Sequence, residues 1–141
     1  MNFFSALEIL SSGMSAQRVR LNVTASNLAN ANSTRGADGK GPYQRRDPVF
    51  EATPVNAGSF DSALNDAVRG VAVPEIVADQ SPPRAVYDPS HPDADPKGFV
   101  QMPNVNMVEE MVNMLTASRA YEANVTAMRA VIDMAHKLLD R

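Results

Sequence analysis

One stretch of the chain carries ionisable side chains at a spacing that could do chemistry: DPSHPDAD, with Asp88, His91, Asp93 and Asp95 inside eight residues. Carboxylates and an imidazole so placed could ligate a divalent cation, which would make the chain a metal-dependent enzyme. Against that reading, Pro89, Pro92 and Pro96 stiffen the stretch, and no Gly sits where a cation loop needs its sharp turn. Asp-Pro steps are ordinary turn formers, so these residues are expected to shape a turn. His136 has no second His near it in sequence and reads as a helix-terminal imidazole facing exposed carbonyls. No Gly-rich phosphate loop, nucleophile elbow or Ser/His/Asp spacing appears. The absence of cysteine removes disulfides, thiolate metal sites and a Cys nucleophile. No catalytic, cofactor-binding or metal residue is therefore expected, and no cofactor.

Charge excludes another class of function. The net charge is −3, and the 13 Lys and Arg are scattered, with only Arg18/Arg20 and Arg45/Arg46 close together. That is no footprint for nucleic acid. The N-terminus MNFFSALEILSSGMSAQRVR lacks a basic leader region and carries Glu8 inside its apolar stretch, so it does not read as a cleaved secretory signal. No run approaches the roughly 18 apolar residues of a membrane span, so no direct membrane span is expected.

The elements that must position these residues are marked by the breakers. All ten Pro lie between Pro42 and Pro103, and six of the seven Gly between Gly36 and Gly98. The breaker-poor ends, 4 to about 31 and about 105 to 140, read as helices, and the middle as loops and short strands. Candidate strands are Pro48 to Ala52, Arg69 to Val73, Arg84 to Tyr87 and Phe99 to Met102, with turns at Ala57-Gly58 and Pro96-Lys97-Gly98. The expected fold is mainly α: long N- and C-terminal helices packing as a coiled coil, with a small Pro/Gly-rich, irregular β insertion between them. Three parts follow: 1–34, 35–103 and 104–141.

Both helices carry a heptad seam. In the first, Leu7, Met14, Leu21 and Leu28 recur every seven residues, with Leu10, Gln17, Thr24 and Ala31 at the companion positions, so the seam is half polar. In the last, Met107, Met111, Met114, Ser118, Tyr121, Val125, Met128, Ile132, Ala135 and Leu139 alternate steps of four and three. Asn104 or Asn106 is available as its N-cap, and Glu109 and Glu110 suit its first turns. Six of the eight Met lie between Met102 and Met134. Such a stripe serves as core or as an adaptable surface for non-identical neighbours, and both can hold. The first helix has only Glu8, Arg18 and Arg20 as charges from Phe4 to Asn32, fewer than a solvated helix carries. Burial inside its own chain is one explanation, and burial by other chains is the preferred one, because the middle segment is too small to cover two long helices.

That inference meets a resemblance. LNVTASNLANANS, Leu21 to Ser33, resembles the N-terminal signature shared by bacterial flagellar rod and hook proteins, whose core is Asn-Leu-Ala-Asn; here Asn27, Leu28, Ala29 and Asn30 stand in it. VYDPSHPDADPKGFVQMPNVNMVEEMVNMLTASRAYEANV, Val86 to Val125, resembles the C-type proximal rod proteins of that axial family, with Phe99 where Tyr is expected and Asn106 where Asp is common. The resemblance is weakest from Asp38 to Val68. It implies a structural subunit of the basal-body rod, exported by the flagellar type III apparatus without a cleaved signal and polymerising through its terminal helices into the torque-transmitting tube. The implied partners are other copies of the chain, other rod proteins and the export apparatus, with no nucleic acid and no small-molecule substrate. The implied location is the basal body, in the part of the rod that spans the periplasm. Carried onto this sequence, the implied assembly contacts are Leu7, Met14, Leu21, Asn27, Leu28, Asn30, Met107, Met111, Met114, Tyr121, Val125, Met128 and Ile132. Another small rod subunit, or a self-contained coiled-coil adaptor or chaperone, stands as the alternative.

Overall fold

A computed structural model describes residues 3–36, 39, 41–54 and 69–139. Two long helices enclose two antiparallel strand pairs in sequence: α1 Phe3–Ala29, β1 Arg46–Pro54, β2 Arg69–Ala78, β3 Arg84–Tyr87, β4 Phe99–Met102 and α2 Met107–Leu139. At 1.5 Å per residue the helices are about 40 and 50 Å long. The helices and the strands β3 and β4 fall where the breakers and β-favouring runs predict them. The strands β1 and β2 extend beyond the expected runs because they pair with each other over nearly their whole length, from Arg46 opposite Ala78 to Pro54 opposite Arg69, with an irregularity between Val49 and Glu51. The expected Ala57-Gly58 turn lies outside the described residues.

The second hairpin, β3 with β4, pairs Arg84 with Met102 and Tyr87 with Phe99, whose rings meet edge to face at 5.3 Å. Its loop is the DPSHPDAD stretch. Gly98 turns with φ +82°, and a Cβ there would sit 2.9 Å from the Tyr87 ring, so this turn requires glycine. Asn106 accepts a hydrogen bond from the Val108 amide at 3.1 Å and is the N-cap of α2.

The helices run antiparallel. Gly13 faces Asn124, Arg20 donates to Asn113 at 3.5 Å and Asn27 meets Glu110, so positions rise along α1 as they fall along α2. The buried residues of the two helices are mostly small or polar: Ser5, Ala16, Val23, Thr24 and Asn27 on α1, and Glu110 and Ala117 on α2. Glycine at 13 leaves room for the Asn124 side chain, since a Cβ there would lie 3.1 Å from its amide nitrogen. The β1/β2 hairpin packs on α1, and the Val71 amide donates to the Ser12 hydroxyl at 3.1 Å.

This packing corrects the preference for burial of α1 by other chains alone, because α2 of the same chain covers one of its faces. It also rotates the seam. On α2 the contact face is centred on Glu110 and Ala117, so the expected seam residues Met114, Tyr121, Val125 and Met128 are only half-buried, while Met107, Met111 and Ile132 are exposed. No described helix is long and apolar enough to cross a membrane.

Candidate assembly interface

The ionisable side chains of the DPSHPDAD loop are engaged in local hydrogen bonds and one ion pair. Asp88 accepts hydrogen bonds from the backbone and hydroxyl of Ser90, which hold its carboxyl below the ordinary range. Asp93 is paired with Arg35 and accepts from the Thr34 hydroxyl at 2.8 Å, and these contacts depress its pKa as well. His91 Nδ1 accepts from the Asp93 amide, and Asp95 accepts from the amides of Lys97 and Phe99. Among the described residues no group of His, Cys, Asp and Glu is arranged to hold a metal ion. The loop instead clamps the residues that follow α1.

The polar centre of the molecule lies where α1 ends and α2 begins. The fully buried side chains of greatest size are Glu110, Val100, Asn27 and Pro103, so a glutamate and an asparagine occupy positions that apolar residues usually fill. Asn27 uses its whole amide. Its Nδ2 donates to the Arg46 carbonyl at 2.8 Å and to Glu110 Oε2 at 3.0 Å, while its Oδ1 accepts from the Tyr43 hydroxyl at 2.9 Å and the Arg46 amide at 3.0 Å.

Glu110 is 1% exposed and accepts on its other oxygen from Arg45 Nε at 2.8 Å. Arg45 also reaches Asp47 at 2.6 Å and, more loosely, Asp79 at 3.8 Å. Partial burial works against the Arg45 charge, but its hydrogen bonds to Glu110 and Asp47 outweigh that and raise its pKa above the ordinary guanidinium value. Hydrogen bonds from Ser81 hold Asp79 below the usual carboxylate range. Asn104 closes the network, accepting from the Arg45 amide at 2.8 Å and donating to the carbonyls of Asp79 and Ser81. A buried polar group is tolerable only when its hydrogen bonds are made, and here each lone pair and donor of the Asn27 amide has a partner.

Of the residues the resemblance implies as contacts, Asn27 is therefore placed inside the chain. It fixes α1 to β1 and α2. Asn30 tightens the last turn of α1, donating to the Ser26 carbonyl at 2.8 Å and accepting from Ser33. Leu7, Met14, Leu21 and Leu28 are half-buried along α1. Arg45, Tyr43, Asn104 and Glu110 were missed as participants. Glu110 looks like a first-turn acid paired with the helix dipole, and only its separation from Asn27 by 83 residues in the chain and 3.0 Å in space reveals its role.

Large apolar side chains stand exposed on the opposite face of the first half of α2: Val108 at 71%, Met111 at 54%, Val112 at 58% and Leu115 at 56%. They fall at i, i+3, i+4 and i+7 and form one stripe. Phe3 and Phe4 are exposed at the start of α1, and Leu138 and Leu139 at the end of α2.

Comparison with known proteins agrees. Residues 7–37 match the family model described as Flagella basal body rod protein, and residues 97–141 match Flagellar basal body rod FlgEFG protein C-terminal. The chain is similar to the flagellar basal-body rod protein FlgC of Borreliella burgdorferi, 45% identical across 92% of this chain and 91% of the relative. It is likewise similar to FlgC of Escherichia coli O6:H1, 45% identical across 99% of this chain and 97% of the relative, and to FlgC of Bacillus subtilis, 41% identical across 99% and 98%. The chain belongs to the FlgC family of flagellar basal-body rod proteins, as a structural subunit and not an enzyme.

Proposed function

We propose that the subunit is exported by the flagellar type III apparatus without cleavage of a signal peptide and polymerises, with other copies and other rod proteins, into the periplasm-spanning, torque-transmitting tube. Residues 1–34 and 104–141 supply the polymerising helices, which pack as a coiled coil with those of their neighbours, and residues 35–103 form the insertion. Leu7, Met14, Leu21, Leu28, Met107, Met111, Met114, Tyr121, Val125, Met128 and Ile132 are the apolar contacts. Asn27 and Asn30 act behind them by holding the end of α1.

The observation that carries this reading is the stripe of Val108, Met111, Val112 and Leu115, left in water by a helix pair whose own buried residues are mostly small or polar. A contiguous apolar surface of this kind marks an interaction site. Replacement of Met111 by Asp puts a charge on that stripe without touching the buried network. The Met111→Asp subunit is expected to be synthesised and to fold as the native chain does by circular dichroism, yet to stop basal-body growth and motility. Normal motility with this variant as the sole copy contradicts the reading.

A further inference from the structure

With eight Met and no Cys, the chain offers thioethers as its sulfur nucleophiles, so a hydroperoxide reacts at methionine. The fold sorts these residues by access. Met107, Met111 and Met134, all on α2, stand 46%, 54% and 58% exposed, whereas Met14, Met102, Met114 and Met128 are half-buried. Met111 lies within the apolar stripe of α2. Its neighbours three and four residues away on the helix are Met107, Val108, Met114 and Leu115, none of which can donate a hydrogen bond. Met134 differs. It lies about 35 Å farther along α2 and has the exposed Lys137 three residues on, an ammonium able to donate to a new oxygen on its sulfur.

We propose that Met111 is a site of oxidation by hydroperoxides, and that its sulfoxide keeps the free subunit out of the rod. The inference rests on coverage of the α2 stripe by neighbouring subunits and adds a chemical control to that step. A lone pair on the Met111 sulfur attacks one oxygen of hydrogen peroxide. The S–O bond forms as the O–O bond breaks, and the departing hydroxide takes the proton of the transferred oxygen and leaves as water. Sulfur loses two electrons and the peroxide gains them. The product carries a strong hydrogen-bond acceptor in the middle of an apolar surface. In the free subunit water satisfies that oxygen. Under a neighbour's apolar side chains it loses its water and finds no donor on its own helix face, so docking is opposed. Once neighbours cover the stripe the thioether is out of reach, and oxidation therefore acts before assembly and not after it.

The test uses cells without methionine sulfoxide reductases, which would reverse the modification. The chain is synthesised while another rod protein is withheld. A pulse of hydrogen peroxide, set so that Met134 is partly oxidised, is quenched with catalase, and the withheld protein is then induced. Mass spectrometry compares the sulfoxide at each methionine between subunits in isolated basal bodies and subunits left unassembled. Met111 sulfoxide is expected to be at least about fivefold scarcer in basal bodies, with Met134 sulfoxide equally abundant in both pools. Equal Met111 sulfoxide in the two pools overturns the proposal. So does equal depletion at Met134, or a Met111 that stays reduced in the unassembled pool. Met111→Asp separates this proposal from the reading beneath it. If that variant is excluded from basal bodies while the sulfoxide is admitted, the oxidation control alone fails; if the variant assembles, coverage of the stripe fails and the control with it.

Discussion

Asn27 and Glu110 meet at 3.0 Å in a fully buried position, joining the first asparagine of the Asn-Leu-Ala-Asn signature to the first turn of the C-terminal helix. The pair fixes the register of the two helices, because Asn27 also holds β1 through both hydrogen-bonding groups of Arg46 and because Arg45 closes on Glu110 from the other side. The apolar stripe on α2 is thereby set at a defined height relative to α1.

Asn27→Ala removes one partner of a buried carboxylate, takes the Asn27 partner from both the amide and the carbonyl of Arg46, and leaves the Tyr43 hydroxyl with only its long contact to Ser26. The expected cost is about 2–4 kcal/mol, read as a lowered midpoint in urea denaturation followed by circular dichroism. Asn27→Asp is expected to cost more at neutral pH, because a second carboxylate then faces Glu110. Like charges raise the proton affinity of the folded pair above that of the unfolded chain. The folded state of this variant therefore gains stability relative to wild type as pH falls, and a defect equal at pH 7 and pH 5 would contradict the contact.

Arg45→Ala leaves Glu110 buried without its cation. Breaking a buried pair in this way costs about 3–5 kcal/mol, whereas Arg45→Ala with Glu110→Gln should recover part of it. Urea denaturation of the four proteins of this cycle gives the coupling directly.

Gly98→Ala meets two obstacles, a φ of +82° and a Cβ 2.9 Å from the Tyr87 ring. A loss of about 1–3 kcal/mol is expected, with hydrogen exchange in Arg84–Tyr87 and Phe99–Met102 accelerated before that in α2. Unchanged protection of the hairpin would argue against the strain.

Asp93 is held below the ordinary carboxylate range by Arg35 and Thr34. Its contribution is complete above the unfolded value of about 3.9 and is lost as pH falls through the depressed folded value. The Asp93→Asn subunit should accordingly lose less stability than wild type between pH 5 and pH 3, by a small amount because the pair is exposed at its Arg35 end. Equal losses in both proteins would show that the clamp contributes nothing.

The placement of Pro and Gly made both helices and the four strands legible, though not which strands pair, and β3 and β4 coincide with their β-favouring runs, because local propensity and turn chemistry set those boundaries. The heptads showed that α2 has an apolar face, but periodicity counts large side chains. The face used inside the chain is built around Gly13, Ala16 and Ala117, which such counting passes over. The Asn27, Arg45 and Glu110 network was not legible, since its members are scattered through the chain and each has an ordinary local explanation: motif asparagine, surface arginine, first-turn acid.

Coverage of the exposed α2 stripe by neighbouring subunits is read out by a single thiol at its middle. Val112→Cys in the otherwise cysteine-free chain is predicted to react rapidly with a water-soluble maleimide in the free subunit and to be protected in intact basal bodies. Equal labelling rates in the two states, with the subunit demonstrably present in the basal bodies, would contradict the account.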